Sequence, residues 1–345
     1  MDCLQEFPPT IQVADRLIGR DQPIYIIAEA GVSHLGNQEN ILPLVEMSRD
    51  AKVDAFKTQH YYTDQLVSSR DQEWFERLLS KEVKDDVIKY MAGLCKRNNL
   101  PFLCTAHNES ALDYVVDVLD VPAIKVGSGE LGNFSYLEKI AKTNKPVILS
   151  TGMHTIDEIK EAAICLAKSG CKELAILHCI TMYPTPINLV NLNVLDHIKT
   201  FFSGPVGYSD HTEGNLACLV AASRGASIIE KHITLFKNIP NAQDWKVSCD
   251  VDTLNELVKS IRDIESLLQG GSKKISELEN NSKIWATKSI FASRDIFPGE
   301  ILDMSCISIK RPGIGLSPKY LSKVLGKKAT SPISSDSLID LDILM

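Results

Sequence analysis

The chain has 345 residues, 44% hydrophobic and 23% charged, an ordinary globular balance with length enough for about two domains. Acidic residues outnumber basic ones by 44 to 37, a formal charge of −7, so a nucleic-acid partner, which a basic surface would mark, is not expected. There is no apolar run of about 20 residues and no basic stretch ahead of an apolar one at the start, so neither a membrane span nor a secretory signal is expected. The nine cysteines are scattered and odd in number, which suits a reduced, cytoplasmic protein. In chain order, short β-prone runs fall at 24–30, 55–59, 102–106, 123–127, 146–151, 174–179, 206–209 and 227–233. Most are continuously apolar, as parallel strands covered on both faces are. Helical patterns lie between and after them, at 38–51, 83–97, 108–118, 134–142, 156–168, 215–223 and 252–268. Thr155 and Glu158 form a capping box, and Gly170 follows as a C-terminal stop.

The strands recur about every 29 residues, the length of a compact βα unit. Eight such units predict an α/β fold, a (β/α)8 TIM barrel over residues 1–270; an open doubly wound sheet competes, but the first strand lacks the glycine-rich turn of its dinucleotide-binding form. Residues 271–285, from Gly271 and Ser272 through Asn280 and Asn281, read as a polar linker. Residues 286–345 read as a small β-rich domain, too short to carry a large core alone.

Barrel chemistry sits at the C-terminal ends of the strands, and ionisable residues collect there. Strand 1 ends in Glu29, and strand 2 carries Lys57. Thr105 follows on strand 3, and Lys125, Ser128 and Glu130 on strand 4. His178 and Tyr183 follow strand 6, Ser209 and His211 strand 7, and Glu230, Lys231 and His232 strand 8. Buried charges must be paired or bound. Two lysines with Ser128 and Ser209 at one mouth suit a phosphate. His211 and His232, on adjacent strand ends, suit a divalent ion with open positions, and equally a pair of hydrogen-bonded structural histidines.

In this order and spacing the motifs resemble the sialic acid synthase family. They are Ala28-Glu29-Ala30-Gly31-Val32-Ser33-His34, Lys57-Thr58-Gln59, Lys125-Val126-Gly127-Ser128-Gly129-Glu130, Tyr183-Pro184-Thr185-Pro186, Tyr208-Ser209-Asp210-His211-Thr212, Glu230-Lys231-His232 and Arg311-Pro312-Gly313. The resemblance implies a transferase that condenses phosphoenolpyruvate with an N-acetylated hexose, N-acetylmannosamine by default, giving a sialic acid and phosphate by C–O cleavage. A 2,4-diacetamido trideoxyhexose, giving legionaminic or pseudaminic acid, is the alternative. It further implies that Lys57, Thr105, Lys125, Ser128 and Ser209 hold phosphoenolpyruvate and that His211 and His232 hold Mn²⁺ or Mg²⁺. Glu130 and Tyr183 would line the sugar site, and Glu29, Glu230 and Asp244 would handle protons. Arg311 would reach in from the partner of a domain-swapped homodimer, on a C-terminal antifreeze-like (SAF, β-clip) domain. Two departures from the family pattern lie on the sugar side, Thr181 and the segment 241–248 with Trp245. Rival readings are a Schiff-base aldolase using Lys57, Lys125 or Lys231, and a catalytically dead glycan-binding module.

Overall fold

A computed structural model describes residues 2–35, 37–239 and 244–345. The chain divides into two compact units, Met1–Gln269 and Gly270–Met345. The first opens with a hairpin the sequence analysis did not anticipate, β1 (Thr10–Val13) and β2 (Arg16–Gly19), paired antiparallel. Eight strands follow: β3 (Tyr25–Gly31), β4 (Ala55–His60), β5 (Phe102–Ala106), β6 (Ile124–Val126), β7 (Val147–Ser150), β8 (Leu174–Cys179), β9 (Val206–Asp210) and β10 (Ile228–His232). They close into a barrel in the order β10-β3-β4-β5-β6-β7-β8-β9, each neighbouring pair parallel. The barrel expectation is met, strand for strand.

Alternation along the strands builds two cores. On β3, Ile26, Ala28 and Ala30 face outward into the large cluster shared with the surrounding helices. Tyr25 and Ile27 face inward, and with Ala55, Leu103, Ala123, Ile148, Ala175, Leu177 and Ile228 they fill the barrel. Ile11, Val13 and Ile18 of the hairpin join that inner cluster, so the hairpin supplies the plug of the N-terminal end. Aliphatic layers thus close the interior from below and leave the inward positions near the strands' C-terminal ends for polar groups.

The second unit carries the antiparallel pair β11 (Ser289–Ala292) and β12 (Ile307–Lys310). Its own small core contains Ile290, Ala292, Ile296, Leu302, Cys306, Val324, Ile333 and Ile339. The stretch expected as linker, 271–285, differs from expectation: Glu277–Ala286 is a helix, with Ser276 Oγ accepting from the Glu279 amide at its N-terminus. Its polar composition hid it, because no residue of the helix is buried. Among the described residues no helix is long and apolar enough to cross a membrane.

Candidate active site

Period-2 alternation determines which strand-end residues share the barrel mouth. Glu29, Lys57, Thr105, Lys125, Ser150, Cys179, Ser209 and Glu230 all take inward positions one step above the aliphatic layers, and each is buried. Gln59, His107, Thr181, His211 and His232 stand a further step out, and the two layers line one cavity of about 340 Å³. The sequence analysis gave no role to Ser150, Gln59 or His107. Counting two residues on from Lys57 and Thr105 would have found Gln59 and His107.

The lower layer is an ion-pair lattice. Lys57 Nζ lies 2.5 Å from Glu29 Oε2 and 3.8 Å from Glu230 Oε2, and donates to Thr105 Oγ1 at 3.2 Å. Lys125 Nζ donates to Ser150 Oγ at 2.6 Å and stands 3.6 Å from Glu230 Oε1. Glu230 also accepts from Ser209 Oγ at 3.0 Å, and Glu29 from Gln59 Nε2 at 3.3 Å. Burial by itself would raise the Glu230 carboxyl, but the ammoniums of Lys125 and Lys57 outweigh it and hold it below its ordinary value. Burial lowers Lys125. For Lys57 burial pulls the same way, and Glu230 and Glu29 overcome it, so its pKa rises. Two cations held at fixed spacing among hydroxyls form a pre-organised anion site. Ser128 lines the same end, its Oγ accepting from the Gly152 amide at 2.8 Å. A Cβ on Gly152 would fall 2.2 Å from Thr181 Oγ1, so the glycine makes room for the Thr181 side chain.

The opposite wall holds the two histidines, their ring centroids 5.3 Å apart. His211 Nδ1 is 2.7 Å from the Ile180 carbonyl and donates to it, which leaves Nε2 as the lone-pair nitrogen, 2.9 Å from the Tyr183 hydroxyl. Burial and the neighbouring His232 depress its pKa to about 3, so the ring is neutral at physiological pH. His232 Nδ1 is buried without a hydrogen-bond partner among the described residues, and the Asp244 carboxylate stands 3.9 Å away. An oriented neutral imidazole beside an orphaned ring nitrogen fits a divalent cation. Among the described residues no three His, Cys, Asp or Glu converge, so a cation held here would keep positions open for water and substrate.

Tyr183 and Asp244 line the cavity as expected. Glu130 is set back from the wall, its Oε1 4.0 Å from His107 Nδ1 and its Oε2 accepting from Asn133. Arg311 lies in the C-terminal unit, its guanidinium 5.7 Å from the centre of the Trp285 ring. Thr181 lines the mouth with its hydroxyl buried and unpartnered among the described residues. Of the 241–248 departure, Asn241, Ala242 and Gln243 lie outside the described residues. Trp74 and Arg77 were not anticipated. They come from the helix Gln72–Leu79, which buries none of its residues and brings both to the rim of the cavity.

Lys231 drops out as a Schiff-base candidate. Its register between Glu230 and His232 turns it away from the mouth. There its Nζ donates to Asp210 Oδ2 at 2.6 Å and to the carbonyls of Thr212 and Gly214 at 2.7 and 2.9 Å. All three ammonium hydrogens are used, and although burial pulls its pKa down, Cys218 and Asp210 outweigh it and raise it.

A closed parallel barrel whose mouth joins two buried lysines to a two-imidazole wall has the form of a (β/α)8 enzyme. Residues 44–273 match the NeuB family and residues 287–344 the SAF domain. The chain is 36% identical to the N,N'-diacetyllegionaminic acid synthase of Campylobacter jejuni, over 91% of this chain and 98% of that protein. It is 39% identical to an uncharacterized protein of Methanocaldococcus jannaschii, over 97% of this chain and 98% of the other. The crystal structure of the N-acetylneuraminic acid synthetase of Leptospira borgpetersenii aligns with a TM-score of 0.74 at 28% identity, covering 79% of this chain and 94% of that one. The chain belongs to the NeuB family: it is a transferase of the sialic acid synthase type, with a SAF domain at its C-terminal end.

Proposed function

We propose that the protein condenses phosphoenolpyruvate with the open-chain aldehyde of an N-acylated aminohexose, consuming water and releasing phosphate to give a nonulosonic acid. The observation that carries this reading is the buried pair Lys57 and Lys125, each 3% exposed, at one end of a cavity whose other wall is His211 and His232. An anionic donor and a polarised carbonyl would meet between them.

His211 and His232 would hold Mn²⁺ or Mg²⁺, which when bound supplies Lewis-acid polarisation of the acceptor's carbonyl oxygen. The enol π pair of the donor forms the new bond from C3 to the aldehyde carbon. The former carbonyl oxygen takes up a proton as a hydroxyl. Water adds at C2 of the donor, where positive charge has developed. Glu230, ionised between two lysines and fixed by Ser209, is the carboxylate set to accept the water's proton, with Glu29 beside it on Lys57. The C2–O bond then breaks as the C2 hydroxyl becomes the product carbonyl and gives its proton to the departing phosphate, which leaves with the bridging oxygen into the field of Lys57 and Lys125.

The acceptor that suits this rim best is a 2,4-diacetamido-2,4,6-trideoxyhexose. Val32, Tyr61, Trp74, Leu78 and Met153 line the cavity, apolar surfaces that match two acetyl methyls and a C6 methyl better than hydroxyls. The Arg77 guanidinium, 5.0 Å from the centre of the Trp74 ring, offers fixed donors to an acyl carbonyl. The identity to the Campylobacter jejuni legionaminic acid synthase supports the same choice. Mass spectrometry of the products from phosphoenolpyruvate and a panel of acceptors tests it. The diacetamido sugar is expected to turn over with the highest kcat/KM, and a preference for N-acetylmannosamine would overturn the assignment of the acceptor.

A further inference from the structure

The donor end is electrically balanced before any substrate arrives. Lys57 faces Glu29 and Glu230, and Lys125 faces Glu230, so two cations meet two anions. Phosphoenolpyruvate brings a carboxylate and a phosphate of about −1.5 to −2 charges at neutral pH. A divalent cation on the histidine wall leaves roughly one negative charge uncompensated, at the phosphate end. Burying that charge without a partner is unfavourable, so a further cation or a bound proton is required there.

His107 is the residue placed to supply it. It directly follows β5, two positions beyond the inward Thr105, and lines the same cavity as both lysines. Gly127 makes the space: a Cβ there would stand 3.3 Å from His107 Cε1 and 3.6 Å from Thr105 Cγ2. Since Thr105 Oγ1 accepts from Lys57, the imidazole sits one strand step above a donor anchor. The groups facing it are Lys57 from β4, Lys125 from β6, the Tyr61 ring at 6.3 Å, and Glu130 at 4.0 Å from Nδ1; Glu29 and Glu230 lie on the far side of the lysines. In the free protein, burial and then Lys57 and Lys125 push its pKa down to about 4. A bound phosphate offsets the two ammoniums and presents an anionic acceptor to the ring, which favours its protonated form.

We propose that His107 is a donor-binding residue that takes up a proton as phosphoenolpyruvate binds and gives the phosphate a third charged hydrogen bond, with Glu130 fixing the ring from behind. This rests on the donor reading above. It couples proton uptake to donor entry and proton release to departure of the product phosphate.

The test is isothermal titration of the full chain with phosphoenolpyruvate, in Mg²⁺ throughout, at pH 7 in buffers of different ionisation enthalpy. Wild type, His107→Gln and His107→Lys are compared, so that the ligand's own ionisation cancels. Wild type is expected to take up roughly one proton per ligand more than either variant. His107→Gln should bind about tenfold more weakly, while His107→Lys keeps the cation and most of the affinity. Histidine NMR on the unaltered protein reads the same event without substitution, a ring neutral alone and cationic with ligand. Equal proton uptake by wild type and His107→Gln, or a ring that stays neutral in the complex, overturns the proposal while leaving the donor reading intact. Failure of wild type to bind phosphoenolpyruvate overturns both.

Discussion

Replacing Lys125 by Met removes one cation from the donor end while keeping most of the side-chain volume. Lys125 Nζ stands 3.6 Å from Glu230 Oε1. At an effective dielectric of about 20 a charge pair at that separation is worth about 4–5 kcal/mol, and removing one partner of a buried pair costs about 3–5 kcal/mol. With about 2–4 °C lost per kcal/mol for a domain of this order of size, Tm should fall by roughly 6–20 °C at pH 7. The deficit should shrink on acidification. In wild type the lysines depress the Glu230 carboxyl, so its contribution is complete above the unfolded value of about 4.3 and is lost only as pH falls through the lower folded value. In the variant burial is less opposed, the carboxyl binds its proton at higher pH, and the penalty of an under-paired charge disappears. The gap in Tm should therefore be widest above about pH 6 and narrower by about pH 4.5. On the donor side, a lost charged hydrogen bond of about 1.5–3 kcal/mol raises the KM for phosphoenolpyruvate roughly 10- to 150-fold, with the sugar KM little changed. Phosphate-release kinetics with each substrate varied, and melting curves from pH 4.5 to 8, measure both effects. An effect confined to the sugar KM, or a Tm gap independent of pH, would refute the reasoning.

Four further outcomes can be measured. His211→Ala or His232→Ala should abolish phosphate release and Mn²⁺ binding measured by electron paramagnetic resonance, with circular dichroism unchanged; near-normal activity and metal stimulation would remove them as ligands. Lys231→Met leaves Asp210 buried and unpaired, and should destabilise by about 3–5 kcal/mol in denaturant unfolding. In wild type, borohydride with pyruvate should trap no lysine adduct, whereas an adduct at Lys57 or Lys125 would favour the aldolase reading. Arg311→Ala and His211→Ala, each inactive alone, should regain activity in mixed assemblies if Arg311 serves a second copy, and verified mixing without recovery would return Arg311 to its own chain.

The barrel was legible because its strands are short, continuously apolar and evenly spaced. The helices whose inner faces are apolar, such as Ile156–Lys168, were legible for the same reason. What escaped lacks that signal. Thr10–Gly19 is two four-residue strands, each with only two positions buried, and the helices Gln72–Leu79 and Glu277–Ala286 bury nothing. Within the site, Lys57, Lys125, His211 and His232 stood out by chemistry. Ser150 did not, being a small residue at the end of an apolar run. As Schiff-base candidates Lys231 and Lys125 were equivalent in the sequence, and register separates them. Lys125 lies on the inward side, whereas Lys231, one residue from Glu230, belongs to the outer face and to Asp210.

The proposed reaction condenses phosphoenolpyruvate with an amino sugar by C–O cleavage at this mouth. Mass spectrometry of a reaction using donor labelled with ¹⁸O in the bridging position tests this, with a 2,4-diacetamido-2,4,6-trideoxyhexose as acceptor. The expected products are a new nonulosonic acid without label and an equal amount of phosphate carrying it. Label retained in the organic product, or phosphate formed without a condensation product, would contradict it.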